Sequence, residues 1–144
     1  MYAACAAACS SALAGPARAE GFPSRPVSIY VANAPGSQAD LLGRLLAQGM
    51  AARLGQSVIV ENRVGASGFI AARATAQAAA DGYTVMLGSS GVMAINPHVY
   101  ASVPYDARKD FAAVAYVASS PSVFLVSAET PAGNLRDFAA AAAK

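Results

Sequence analysis

Three short segments rich in glycine and serine hold the residues of this sequence that could do chemistry. They are Pro35-Gly36-Ser37, Gly65 to Gly68 and Gly88 to Gly91. Glycine permits close backbone approach and positive φ, and serine adds a hydroxyl, so these segments could surround a carboxylate with neutral donors. Glycine and serine are also ordinary turn residues. Because all three segments follow predicted strands, the pattern favours a binding site over three unrelated turns.

The first segment also predicts the start of a helix. The apolar run Val27 to Ala32 breaks at a Pro-Gly turn, and Ser37 with Asp40 three residues later fits a capping box. The free N–H groups and the positive end of the helix dipole at such a turn attract an anion. No base, nucleophile or metal cluster accompanies the turn. The sequence therefore indicates binding rather than catalysis.

Other reactive side chains give no catalytic pattern. His98 is the only histidine and follows Asn96-Pro97 in a polar stretch, where a surface or structural role is favoured. The segment Gly88 to Gly91 lacks the spacing of a nucleophile elbow, and no pair of acids suggests glycosidase chemistry. We predict that the chain has no catalytic residue, no metal ligand and no cofactor.

Length and composition limit the class of protein. The chain has 144 residues, which suits one domain, and 56% hydrophobic against 12% charged residues excludes disorder caused by charge. The formal charge of +2 is spread along the sequence without a basic patch, which argues against a nucleic acid partner.

Residues 1–19 are predicted to be a leader, and residues 20–144 the folded part. Ala17-Arg18-Ala19 has the form cut by signal peptidase, although the start of the segment lacks Lys or Arg. The alternative is a disordered apolar leader. Both cysteines, Cys5 and Cys9, lie in this leader, so the mature chain would build no disulfide framework or thiolate metal site.

Three predicted strands, each followed by a short loop, precede Gly91, and a helix follows each of the first two loops. The predicted strands are Val27 to Ala32, Val58 to Val60 and Tyr83 to Leu87, and the predicted helices are Ser37 to Leu54 and Phe69 to about Ala79. This alternation predicts an α/β fold with a mostly parallel sheet, and right-handed crossovers then place the three loops at one edge. The segment after Gly91 reads as irregular, with apolar runs at 112–118 and 123–127, before a helix that Asn134 caps from Leu135.

The segment Val64 to Ala71 allows a different interpretation. It resembles the glycine fingerprint of NAD-dependent enzymes, which would make the chain part of an oxidoreductase. That fingerprint should follow its strand directly, whereas Glu61-Asn62-Arg63 intervenes, and Asp81 precedes a strand instead of ending one. This alternative is disfavoured on context.

Several segments together resemble the Bug family, the extracytoplasmic receptors of tripartite tricarboxylate transporters. The similar segments are Pro23 to Val27, Ala34 to Ala47, Leu54 to Arg63, Asp81 to Ser89, Ala94 to Tyr100, Pro104 to Asp106 and Asp110-Phe111. The resemblance implies one lobe of a periplasmic-binding-protein type II-like fold, with three α/β/α layers. It also implies a periplasmic location, a small carboxylate ligand and membrane permease subunits as partners.

The resemblance implies that loop amides and hydroxyls hold the ligand carboxylate. The matching positions are Ala34, Pro35, Gly36, Ser37, Asp40, Gly65, Ala66, Ser67, Gly68, Ser89, Ser90 and Gly91. The sequence departs from the family pattern at Asn33, Ser37 and Phe69. Phe69 stands where the family commonly has Asn, which suggests a more apolar or aromatic acid.

The resemblance further implies that the first lobe is incomplete and that the second lobe is missing. A half-open cleft could not desolvate a ligand, and missing return strands would leave a sheet edge and an apolar helix face exposed. We therefore expect residues 1–144 alone to be unstable or prone to self-association, and to bind poorly. A nonfunctional remnant of a truncated gene is the alternative.

Overall fold

The computed structural model describes residues 21–130 and 133–142. The predicted leader, residues 1–19, lies outside the described residues. The chain divides after Ala112 into two units. Each unit is described by itself.

The first unit is built on a three-stranded parallel sheet. Strand β1 is Val27–Val31, β2 is Val58–Asn62 and β3 is Thr84–Leu87, in the order β2-β1-β3. The register pairs Val27 with Val58 and Ser28 with Thr84. The predicted parallel sheet is confirmed. Strand β2 runs two residues further than predicted, so the glycine loop follows it after Arg63 and Val64.

Helix α1, Gln38–Leu54, has the ends that its sequence predicts. The Ser37 side chain accepts a hydrogen bond from the Asp40 N–H, and Gly55 ends the helix in a left-handed conformation at φ 67. Only half of the capping box forms, because the Asp40 carboxylate bonds Gly36 instead of Ser37. Local chemistry therefore fixes both ends of α1.

Helix α1 covers one face of the sheet. Val27, Ile29 and Val31 of β1 are buried beneath it, and Ala47 completes this core. Gly43 is also buried: a Cβ there would lie 3.2 Å from Val31 Cγ2. The missing side chain lets the helix axis approach the sheet closely, which tightens the packing beneath it.

Helix α2, Phe69–Ala76, follows a 3-10 turn at Ala66–Gly68 and covers the opposite face with the segment after β3. The second core there contains Ala72, Val92 and Tyr105, and the Tyr105 hydroxyl donates to the Val92 carbonyl. Helices on both faces of the sheet give the three-layer α/β/α arrangement that was predicted.

The segment after Gly91 is more ordered than the sequence predicts. A π-helical turn, Gly91–Ile95, leads directly into helix α3, Asn96–Val99. Pro97 lies in the first turn of α3, where its missing N–H costs nothing. The expectation of an irregular segment was wrong here, because a proline was interpreted as a break where it starts a helix.

At the opposite end of the strands, residues before β1 are tied to the residue before β3. The Tyr83 hydroxyl accepts a hydrogen bond from the Ser24 N–H at 2.8 Å. Arg25 lies over the Tyr83 ring and pairs with Asp81 at 2.7 Å. These contacts anchor the start of the fold far from the glycine-rich loops.

The second unit begins at Ala113 and contains helix α4, Leu135–Ala142. Asn134 caps this helix as predicted, accepting a hydrogen bond from the Asp137 N–H at 3.0 Å. The two apolar runs between 112 and 127 form no helix or strand. Among the described residues, no helix combines the length and apolarity that crossing a membrane requires.

Candidate functional site

The loops after β1, β2 and β3 meet in an open cleft at the carboxyl ends of the strands. Its volume is about 410 Å³, and its lining consists of Ala32, Asn33, Ala34, Val64, Gly65, Ser67, Gly68, Ser89, Gly91, Val92 and Asn96. Open α/β sheets bind ligands at this edge, where successive crossovers diverge to opposite faces. The order β2-β1-β3 places that divergence at β1.

Gly68 brings the three loops together. A Cβ on Gly68 would lie 2.5 Å from Val92 Cγ2 and 3.3 Å from Ala32 Cβ. The loop after β2 therefore packs against residues that follow β1 and β3 without room for a side chain. Because these contacts close the floor of the cleft, the three loops cannot be placed independently.

The structure brings only part of the predicted residue set to the cleft. Ala34, Gly65, Ser67, Gly68, Ser89 and Gly91 line it. Pro35, Gly36, Ser37, Asp40, Ala66 and Ser90 are not in its lining. Asn33, Val64 and Asn96 do line it, although the sequence analysis did not select them as site residues.

Asp40 is buried and is bonded to other residues of the protein. It is 2% exposed, and its carboxylate accepts hydrogen bonds from Gly36 N–H at 2.9 Å, Arg44 Nε at 3.0 Å and Asn62 Nδ2 at 2.9 Å. The Arg44 bond, then those of Gly36 and Asn62, lower the pKa of Asp40 from 3.8 to about 2. Both oxygens accept hydrogen bonds from these donors, so in this structure Asp40 shapes the first loop, and its predicted contact with a ligand stays a prediction.

Asn62 and Arg44 complete this network. Asn62 Nδ2 also donates to the Asn33 carbonyl at 3.0 Å, and Arg44 Nη2 lies 3.4 Å from Asn62 Oδ1. The end of β2 is thereby joined to the loop after β1. The sequence pattern placed Glu61-Asn62-Arg63 in a family-like segment and between a strand and a glycine loop, but no pattern along the chain indicates that Asn62 reaches Asp40.

The loop after β2 has an unusual backbone. Gly65, Ala66, Ser67 and Gly68 all have positive φ, at 126, 46, 54 and 90 degrees. Two of the four are not glycine, although L-residues with side chains seldom adopt this region. The N–H groups of Ala66 and Ser67 have no acceptor among residues 21–130 and 133–142. Of these two residues Ser67 lines the cleft, so its N–H group could donate to a bound anion there.

The loop after β3 turns back into the second core. The Ser89 hydroxyl accepts from the Val92 N–H at 3.4 Å, and the Ser89 carbonyl accepts from the Met93 N–H at 2.9 Å. Ser89 therefore acts as a cap for the π-helical turn while lining the cleft. Ser89 therefore has a structural role in this turn, and its role in binding stays a prediction.

Every lining residue is uncharged. The polar groups are backbone amides, the side-chain amides of Asn33 and Asn96, and the hydroxyls of Ser67 and Ser89. His98 is exposed and does not line the cleft. In the part of the chain that the structure describes, no group of three or more potential ligands could hold a metal ion. The chemistry offered is neutral hydrogen bonding to a small polar or anionic molecule.

Phe69 lies outside the cleft, although the family resemblance suggested that it would contact a ligand. Its ring packs edge-to-face on Tyr100 and Tyr105, with centroids 5.0 and 5.9 Å apart, and it is absent from the cleft lining. The expectation that Phe69 favours an aromatic acid has no support in this geometry. Asn33, the other departure, does line the cleft and adds a side-chain amide there.

A second groove of about 410 Å³ lies between α1 and the outer side of β2, lined by residues such as Arg44, Ala47 and Val60. It contains none of the predicted ligand-binding residues, and no strand-end loop contributes to it. Its position along the edge of the sheet fits packing against further chain better than binding a small molecule. The cleft at the carboxyl ends is the candidate site.

Comparisons with known proteins agree on one family. The family model described as the tripartite tricarboxylate transporter family receptor matches residues 42–144. A protein of the UPF0065 group from Bordetella pertussis is 41% identical over 125 residues, which are 86% of this chain. This chain spans 38% of that relative's length.

Solved structures agree with the fold. MatC from Rhodopseudomonas palustris, solved with bound malate, is 38% identical with a TM-score of 0.60, covering 62% of this chain and 31% of that chain. Rpa4515 from R. palustris, solved with adipate, is 40% identical with a TM-score of 0.59, covering 60% of this chain and 29% of that chain. Both relatives were solved with a carboxylate, and neither supports the alternative of an NAD-dependent enzyme.

Proposed function

The chain belongs to the tripartite tricarboxylate transporter receptor family, and we propose that residues 20–144 form the first lobe of a receptor for small carboxylates. One observation carries this proposal: three strand-end loops converge on a cleft lined only by neutral donors and small apolar groups. Such a lining suits a carboxylate that is held by several amide and hydroxyl hydrogen bonds instead of an ion pair.

The relatives narrow the class of ligand. Malate and adipate, the molecules named with the two solved relatives, are small dicarboxylates. Ala34, Gly65, Ser67, Gly68, Ser89 and Gly91 are the residues that we propose contact such a ligand. Asn33 and Asn96 would add side-chain amides able to meet a hydroxyl or a second carboxylate. Proposed in this way, the protein binds its ligand and does not transform it.

Location and partners follow from the family. We propose that the receptor works in the periplasm and delivers its ligand to membrane permease subunits of a tripartite tricarboxylate transporter. Since this chain spans 38% of the length of its Bordetella relative, the second wall of the cleft would come from sequence that this chain lacks. A nonfunctional remnant of such a receptor remains the second candidate.

Calorimetric titration of the 144-residue chain with malate, adipate and NADH tests the proposal. Because this chain spans only part of its relatives, we expect weak but measurable heat of binding with a dicarboxylate and none with NADH. Ala34→Glu should abolish the heat of binding with the dicarboxylate, because a carboxylate placed in the cleft repels the ligand. Ala52→Glu, on an exposed position of α1, is the matched control and should bind as the parent does. Failure of every acid to bind, with the fold intact, would contradict the proposal and favour the remnant.

A further inference from the structure

Ser67 and Ala66 lie in a conformation that they do not prefer by themselves. Their φ values of 54 and 46 degrees fall in the left-handed region, where the Cβ crowds the following carbonyl. The turn nevertheless makes regular bonds, since the Gly68 N–H donates to the Gly65 carbonyl at 2.9 Å and the Phe69 N–H to the Ala66 carbonyl. Something outside the turn must therefore stabilise it.

Two side chains from α3 and the residue after it hold Ser67. Asn96 Nδ2 donates to the Ser67 carbonyl at 2.9 Å, and the Tyr100 hydroxyl lies 2.7 Å from Ser67 Oγ. Asn96 and Tyr100 are four residues apart and face the same side, and the Tyr100 N–H bonds the Asn96 carbonyl at 3.0 Å. Residues from one helical turn therefore hydrogen-bond both the backbone and the side chain of Ser67.

Packing holds the side chains of Asn96 and Tyr100 in place. Asn96 is 8% exposed, and the Tyr100 ring packs edge-to-face on Phe69, which in turn packs on Tyr105 in the second core. Tyr100 is 44% exposed, so its hydroxyl can be removed without opening a cavity in the core. Packing fixes where the two hydrogen-bonding groups lie, and Ser67 must conform to them.

We propose that Asn96 and Tyr100 are positioning residues that hold Ser67 left-handed before any ligand arrives. Through Ser67 they fix the backbone of the loop after β2, whose residues Gly65, Ser67 and Gly68 line the cleft. The consequence for binding rests on the proposed function, but the conformational effect does not. If the loop is already in its binding conformation, its conformational entropy is not lost when the ligand binds, so the affinity is higher.

Amide hydrogen exchange of Gly68 and Phe69, measured by NMR without any added acid, tests the proposal, because their hydrogen bonds exist only in the left-handed turn. Tyr100→Phe should speed this exchange by roughly three- to tenfold, since one hydrogen bond is lost while the ring stays. Exchange at Ile29 in β1 should not change. Tyr83→Phe is the matched control: it also removes a bonded hydroxyl, at the other end of the strands, and should leave Gly68 and Phe69 unaffected.

The same measurement in a Ser67→Gly background distinguishes a positioning role of Tyr100 from a general effect of Tyr100→Phe on packing. In the Ser67→Gly background the hydroxyl and the strain are both absent, so adding Tyr100→Phe should have little further effect on exchange. An equal acceleration in both backgrounds, or none in either, would overturn the proposal. Malate titration then tests the ligand separately: a chain that shows the exchange effect but binds no malate refutes the proposed function and leaves the positioning role standing.

Discussion

Gly68 is the residue whose change should reveal most directly whether the three loops are packed together. Gly68→Ala places a Cβ 2.5 Å from Val92 Cγ2, closer than real Cβ contacts occur, at a φ of 90 degrees. The left-handed backbone costs a side chain about 1–2 kcal/mol. Overpacking against a buried neighbour adds about 1–3 kcal/mol. We therefore expect the free energy of unfolding to fall by about 2–5 kcal/mol.

Gly55→Ala is the matched control. Gly55 also has positive φ, at 67 degrees, but a Cβ there would have nothing within 4 Å. This variant should lose only the backbone part, about 1–2 kcal/mol. Urea unfolding followed by circular dichroism measures both losses. The excess in Gly68→Ala is the contribution of the contact between the loops.

Combining Val92→Ala with Gly68→Ala tests whether the two residues are in contact. Val92 is 4% exposed, so truncation alone should cost about 1.5–3 kcal/mol. In the double variant with Gly68→Ala, the missing Val92 methyl groups leave room for the new Cβ. The loss should then be smaller than the sum of the single losses by about 1–3 kcal/mol. Additive losses, or equal losses in Gly68→Ala and Gly55→Ala, would refute the packing described here.

Two further predictions concern buried polar groups. Asp40 has its pKa lowered to about 2, so its contribution to stability is complete above the unfolded value of 3.8 and is lost as pH falls toward 2. Acid unfolding of Asp40→Asn should accordingly show a weaker pH dependence than the parent chain between about pH 5 and pH 2, and an unchanged dependence would contradict the network. Tyr105→Phe should cost about 1–2 kcal/mol in urea unfolding, because the Val92 carbonyl loses its buried donor; a loss near zero would mean that water replaces the hydroxyl.

Features set by local chemistry could be predicted from the sequence. Ser37 and Gly55 mark the two ends of α1. The Ser37 hydroxyl accepts a hydrogen bond from a nearby backbone N–H, and Gly55 adopts the left-handed conformation that ends a helix. The alternation of strands and helices likewise predicts the parallel sheet and the common edge of its loops. Such signals lie within a few residues of what they determine.

Features set by distant contacts could not be predicted. The inward-facing Asp40 depends on Asn62, which is 22 residues away along the chain, and the left-handed Ser67 depends on Asn96, which is 29 residues away. Nothing near either residue indicates its partner. The position of Phe69 could not be predicted either. The family resemblance suggested that Phe69 lies at the cleft, but it packs against the second core.

The uncharged lining of the cleft has a consequence for how the protein meets its surroundings. A pocket without a side-chain cation projects little long-range field, so it does not draw ligands in from beyond contact distance. Added electrolyte then has little attraction to screen. For the carboxylate ligand that we propose, occupancy would then depend on the concentration of the acid and vary little with the concentration of salt.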